Sequence, residues 1–197
     1  MGKIIFLNGC GSSGKTSIAK AIQKESRDLW LSFGVDTFIE MIPSSRQDQY
    51  FKFIKGQNEH GLTMHVKSET ESEKLFGCMP KLAKILASSG NNLIIDEVLF
   101  DEKALKSYAN HLKQHIVYYI GVFCDLKIMQ EREAARKDRL IGLSNDQIDR
   151  VHQSILNSYD FKVDTSHISP DEAASLILNF IDDNPIPNAF LSLTKQD

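Results

Sequence analysis

Ile4-Ile5-Phe6-Leu7-Asn8-Gly9-Cys10-Gly11-Ser12-Ser13-Gly14-Lys15-Thr16 decides how this 197-residue chain folds. From Gly9 onward it satisfies G-x-x-x-x-G-K-[ST], and the context is the one that motif needs: a buried apolar strand before it and a helical pattern, from Thr16 to about residue 27, after it. Glycines let the backbone turn tightly and aim successive N–H groups at a polyphosphate. The helix that follows presents its positive end to the same anion. Gly9, Cys10, Gly11, Ser12, Ser13, Gly14, Lys15, Thr16 and Ser17 are therefore the expected phosphate-cradling residues. Lys15 reaches toward the β/γ-phosphates, and the Thr16 hydroxyl is an expected Mg²⁺ ligand.

Outward from the loop, short apolar runs alternate with helical patterns. Strands are expected over 3–8, 31–36, 92–98, 116–124 and 161–165. The two middle runs are continuously apolar, as strands buried on both faces are. Helices are expected near 16–27, 70–89, 102–113, 126–138, 145–157 and 170–182, the last opening on Ser169-Pro170-Asp171-Glu172, a capping box with proline at its first position. This is the pattern of an α/β fold with a central five-stranded parallel sheet covered by helices on both faces. Ligands of such sheets bind beyond the carboxyl ends of the strands.

Composition supports one domain, read as 1–184 with a tail over 185–197 that Pro185 and Pro187 keep out of the last helix. Residues 44–69 interrupt the alternation as a polar insertion, read as a small β excursion or flap. A net charge of −3 gives no reason to expect nucleic acid or an anionic membrane as partner. No apolar run approaches the roughly 18 residues of a membrane span, and no leader is visible, so a cytoplasmic location is expected. Cys10, Cys78 and Cys124 are odd in number and lack metal-ligand spacing. Cys10 is either a thiolate activated by Lys15 and the helix start, or a small residue filling space. No heptad or apolar stripe decides whether the chain forms a homo-oligomer.

Acidic residues at strand ends carry the chemistry. Asp96 closes Leu93-Ile94-Ile95-Asp96 and reads either as a Mg²⁺ ligand or as the cap of the next turn. Glu97 should point to the opposite face of the sheet. Asp36 ends Gly34-Val35-Asp36, where it either accepts the proton of an acceptor hydroxyl or caps a helix over 37–41. Arg132, Arg136 and Arg139 recur at helical spacing along 130–139. Like charges four apart oppose a helix by roughly 0.2–0.5 kcal/mol, so a facing anion would offset a cost. They read as lid arginines that meet the transferring phosphate, over a lid region 126–150, or as a solvated face in which Glu133 pairs with Lys137. His152 and His167 read as structural, and Trp30 and Phe33 as core or as an aromatic wall.

Trp30-Leu31-Ser32-Phe33-Gly34-Val35-Asp36, Leu93-Ile94-Ile95-Asp96-Glu97-Val98, Arg132-Glu133-Ala134-Ala135-Arg136-Lys137-Asp138-Arg139 and Val163-Asp164-Thr165-Ser166-His167 together resemble the chloramphenicol phosphotransferase family. The resemblance runs in order over most of the chain. It implies a P-loop NTPase fold of the adenylate-kinase group and an enzyme that moves the γ-phosphate of ATP onto a hydroxyl of a small molecule, the primary hydroxyl of chloramphenicol in the founding activity, with a link to antibiotic resistance. It also implies that Asp36 is the base, that Arg132 and Arg136 belong to the lid, and that Asp164 and Thr165 approach the adenine. Thr16 stands where serine is expected, and 44–73, where the acceptor should sit, does not match. Two other readings stay open. A nucleotide-dependent switch of the GTPase kind would carry N-K-x-D, which is lacking; a polynucleotide or nucleoside hydroxyl kinase would need a basic channel.

Overall fold

A computed structural model describes residues 2–136, 140–152, 158–184 and 186–193. Five strands, β1 (Lys3–Asn8), β2 (Trp30–Gly34), β5 (Asn92–Glu97), β6 (Ile116–Phe123) and β7 (Phe161–Asp164), form one parallel sheet in the order β2-β5-β1-β6-β7. Parallel neighbours need long crossovers, and α1 (Lys15–Glu25), α5 (Glu102–Leu112) and α6 (Leu126–Ala135) lie within them. β1 sits at the centre, bonded along its whole length to β5 and β6. The P-loop therefore leaves the central strand of the sheet.

Alternation along the strands splits the core in two. Ile4, Phe6, Leu93, Ile95 and Tyr119 pack with α4 (Met79–Ser88) and α5 on one face. Ile5, Leu7, Ile94, Tyr118 and Val122 pack with α1 and α8 (Pro170–Asp183) on the other. The expected capping box of α8 is present, with Ser169 Oγ accepting from the Glu172 N–H and the Glu172 carboxylate accepting from the Ser169 N–H.

Several local expectations are corrected. The helix read over 70–89 is two, α3 (Thr70–Phe76) and α4, because the chain breaks at Gly77-Cys78 and restarts with Pro80 in the first turn, where its missing N–H costs nothing. The terminal stretch is no mere tail. α9 (Ala189–Leu193) buries Phe190 against Phe6 and Tyr119, each at 5.2 Å between ring centroids. Asp160 Oδ1 accepts from the Asn188 and Ala189 N–H groups and fixes the start of that helix.

The polar insertion forms a 3-10 turn, Ser44–Gln49, and a hairpin of β3 (Phe51–Asn58) and β4 (Gly61–Ser68) separate from the main sheet. Its partner is α7 (Leu143–Val151). Met64 N–H donates to Gly142 O at 2.9 Å, Asn145 Nδ2 to Leu62 O at 2.8 Å and Asn58 Nδ2 to Asn145 O at 2.9 Å. Side chains add to the seam: His60 meets Asp149, and His65 and Arg150 both meet Asp146. A surface built to bond another polar surface reads as hydrophilic, which is why its sequence lacks a core signature.

Candidate active site

The loop between β1 and α1 opens into a cleft of about 1530 Å³. Ser12 (φ 62°) and Gly14 (φ 96°) both adopt left-handed backbone, which curls the loop into a cradle. Gly14 also caps α1, and a side chain there would be strained. Asn8 stiffens the base of the loop. Its Oδ1 accepts from Leu99 N–H at 2.9 Å, and its Nδ2 donates to the Tyr159 hydroxyl at 2.9 Å, joining the ends of two strands to the 159 region.

Lys15 is buried, donating to Cys10 O at 2.9 Å and standing 3.6 Å from Asp96 Oδ1. The Thr16 hydroxyl donates to Asp96 Oδ2 at 2.6 Å. Asp96 thus meets both motif residues of the loop and does not act as a turn cap. Glu97 points to the other face, as strand alternation requires, but still lines the cleft. Burial pushes its carboxyl up to about 7, against the Tyr108 hydroxyl that donates to Oε1 at 2.5 Å. Ser17 lines the cleft beside Thr16.

Asp36 is two residues past the end of β2, in the first turn of α2 (Val35–Glu40), and faces the same cleft. The strand stops at Gly34, which pairs with Asp96 and caps the helix; its N–H donates to Thr37 Oγ1 at 3.3 Å. The capping role considered for Asp36 therefore belongs to Gly34. Phe33 is at once core and cleft wall, whereas Trp30 is core, its Nε1 donating to Ser26 Oγ.

The arginine stripe is not one helical face. α6 ends at Ala135, and Arg136 is extended (φ −93°, ψ 123°). Glu133, in the last turn of α6, is 2% exposed and spent on the start of α7, accepting from Leu143 N–H, Ser144 N–H and the Ser144 hydroxyl. Lys137, read as its partner on a solvated face, lies outside the described residues. Arg132 runs inward, donating from Nη1 to Thr165 Oγ1 at 3.1 Å and from Nη2 to Thr165 O at 2.8 Å. Thr165 in turn donates to Ser13 O at 2.7 Å, so Arg132 braces the P-loop from behind. Arg136 lines the cleft. Arg139 lies outside the described residues.

Asp164 turns away: its carboxylate accepts from the Ser166 N–H and hydroxyl, which hold it below the usual aspartate range, and it does not line the cleft. Cys10 is 1% exposed, packed with Cys124, Met129 and Val151. Burial pushes its thiol up to about 11 against the pull of Lys15, so the space-filling reading holds and the activated thiolate does not. His152 stacks on Phe123 at 4.0 Å, and burial lowers it to about 4. It is a neutral structural ring.

Two features go beyond the sequence reading, which offered Trp30 and Phe33 alone as an aromatic wall. The cleft is lined by a large apolar and aromatic set, Phe33, Phe51, Phe53, Phe76, Met79 and Phe100; the Arg150 guanidinium lies 4.3 Å from the centroid of the Phe100 ring. Gln147 of α7, 8% exposed, accepts the Gly11 N–H through its Oε1. The spread of phenylalanines over 33–100 was the available signal for the first. Nothing local marks the second, which joins residues 136 positions apart.

A parallel sheet of this order, with a P-loop leaving its central strand and a strand-end carboxylate meeting Thr16, defines an enzyme of the P-loop kinase class. Residues 2–182 match the chloramphenicol phosphotransferase-like protein family, and the chain belongs to it. A Mycobacterium tuberculosis protein named "Putative O-phosphotransferase" is 26% identical over 99% of this chain and 89% of its own length. Among solved structures, the Deinococcus radiodurans tunicamycin resistance protein superposes with a TM-score of 0.62 at 15% identity, covering 94% of this chain and 97% of that one. The Mycobacterium tuberculosis APS kinase CysC, in complex with AMPPNP and APS, gives 0.60 at 13% identity over 92% and 98%. At those identities the structural likeness speaks to fold. No helix among the described residues is long and apolar enough to cross a membrane.

Proposed function

We propose that this chain is an ATP- and Mg²⁺-dependent phosphotransferase that moves the γ-phosphate onto a hydroxyl of a small molecule with a partly apolar body. The observation that carries this reading is that one cleft is lined both by Lys15, Thr16, Asp96, Arg132 and Arg136 and by a set of aromatic side chains, with Asp36 on the same space.

The residues fit the nucleotide. The loop offers backbone N–H groups and a buried ammonium to a polyphosphate, and Ser13 Oγ within it is buried without a hydrogen-bond partner. Thr16 Oγ1 and Asp96 Oδ2 are the hard oxygen donors that Mg²⁺ takes through direct or water-mediated bonds, and these two residues would hold it. Bound there, Mg²⁺ would neutralise charge on the phosphate oxygens.

This chain's own part is positioning. Lys15 and Arg136 offset negative charge at the transferring phosphate, while Arg132 keeps the loop and the 165 turn in register. Asp36 accepts the hydroxyl proton as the acceptor oxygen bonds to phosphorus and ADP departs. A loose transition state asks the base for orientation more than for basicity. The hairpin 51–68, bonded to α7, roofs the acceptor end and serves as the flap, with 126–150 as the lid region. The aromatic wall supports an acceptor with a ring or hydrocarbon body, of which chloramphenicol is one.

An ATP-consumption screen across hydroxylated antibiotics, nucleosides and sugars tests the proposal. Asp36→Asn should lower turnover of the best acceptor roughly 10²–10⁴-fold with nucleotide affinity unchanged. Turnover at the normal rate in that variant would remove Asp36 from the role of base.

A further inference from the structure

The Gly11 N–H is one of the amides a P-loop turns toward an anion, and a carbonyl oxygen of the protein already holds it. The Gln147 Oε1 contact is buried, and the fit is close: a Cβ built on Gly11 would lie 3.0 Å from that same oxygen. Gln147 has no local reason to be there. It stands in the second turn of α7, a helix whose Asn145 and Asp146 bond the hairpin and α6. We propose that Gln147 is a phosphate-competing residue of the nucleotide site: its amide oxygen takes the place of a phosphate oxygen on Gly11 N–H, and a triphosphate displaces it.

The chemistry of the side chain suits that part. A neutral amide oxygen makes an ordinary hydrogen bond that a charged phosphate oxygen outcompetes, since bonds to ions are roughly twice as strong. A carboxylate at 147 would grip the amide harder and repel the phosphate.

Displacement has a consequence at the other end of the cleft, because α7 does not move alone. Gly142 O, Asn145, Asp146 and Asp149 tie it to the hairpin through the bonds described above, and Phe51, Phe53 and Val66 of that hairpin line the acceptor end. Gln147 therefore links phosphate occupancy of the P-loop to the roof over the acceptor. This inference rests on the nucleotide reading of the site.

Calorimetric titration of Mg²⁺-AMPPNP into wild-type, Gln147→Ala, Gln147→Asn and Gln147→Glu protein tests it. Both shortened side chains should bind about 2- to 10-fold tighter than wild type, the equivalent of one net neutral hydrogen bond no longer in competition. Gln147→Glu should bind weaker by at least tenfold. A purely structural residue would give weaker binding in all three variants, and that pattern or unchanged affinity would overturn the proposal while leaving the nucleotide reading intact. No AMPPNP binding to wild type would end both. Hydrogen exchange supplies a second readout: AMPPNP should change amide protection over 51–68 in wild type, and by much less in Gln147→Ala. Hairpin protection indifferent to AMPPNP in wild type would overturn the link to the acceptor roof.

Discussion

The Thr16 hydroxyl donates to Asp96 Oδ2 at 2.6 Å across 80 residues of sequence, joining the second half of the G-K-T signature to the end of β5. Asn in place of Asp96 keeps an acceptor for Thr16 and deletes the charge. Phosphoryl transfer should fall on the order of 100-fold or more, the scale of losing one preorganised electrostatic contact. The Mg²⁺ concentration for half-maximal rate should rise at the same time. Initial rates measured against Mg²⁺ concentration check both.

Arg132 spans two oxygens of Thr165 with one planar fork. Lysine retains the charge but is a single point and cannot bridge them. Arg132→Lys should therefore weaken ATP binding several-fold and lower the melting temperature by a few degrees, seen by calorimetry and thermal denaturation. Identical values in the two proteins would show that the charge alone matters.

Glu133 places a buried carboxylate at the start of α7, where two amides and a hydroxyl converge on it. Glu133→Gln preserves shape and removes the charge. Charge-assisted bonds exceed neutral ones, so a loss of roughly 2 kcal/mol is expected. For a chain of this length that is a fall in melting temperature of about 4–8 °C, read by circular dichroism.

His152 imposes a pH dependence on stability. Its folded-state pKa of about 4 is below the ordinary 6.5 because burial disfavours the cation. The folded protein then binds fewer protons than the unfolded chain between those values, so stability is intact above about pH 6.5 and drains away as the pH falls toward 4. His152→Phe keeps a ring against Phe123 and removes the titration. Its melting temperature should drop less between pH 7.5 and pH 5 than that of wild type.

Continuous apolar runs made the sheet legible. β1 lies where it was expected, and β5 and β6 end within a residue of their expected limits, because strands buried on both faces have no polar alternation to blur them; the edge strand β7, which does alternate, also ends within a residue of its expected limit. The P-loop residues, Thr16 and Asp96 were legible for a different reason: their spacing or strand-end position is itself the chemistry. Asp36 was found, but its placement was off by an element, since nothing in Gly34-Val35-Asp36 says that Thr37 will turn the chain at Gly34. Helical spacing misled at Arg132 and Arg136, since α6 ends at Ala135 and Arg136 is already extended. The β excursion in 44–69 was legible, but its docking on α7 and the Gln147 contact were opaque, because polar surfaces that bond each other are indistinguishable in sequence from surfaces that bond water.

β1 is synthesised before both of its neighbours, yet it occupies the middle of the sheet and is flanked by segments that end at residues 97 and 123. A nascent chain shorter than that has a P-loop anchored on one side at most. A P-loop held on both sides therefore has to wait for β6, more than a hundred residues further along the chain, and the apolar Ile4–Leu7 stretch must be shielded by other means until then.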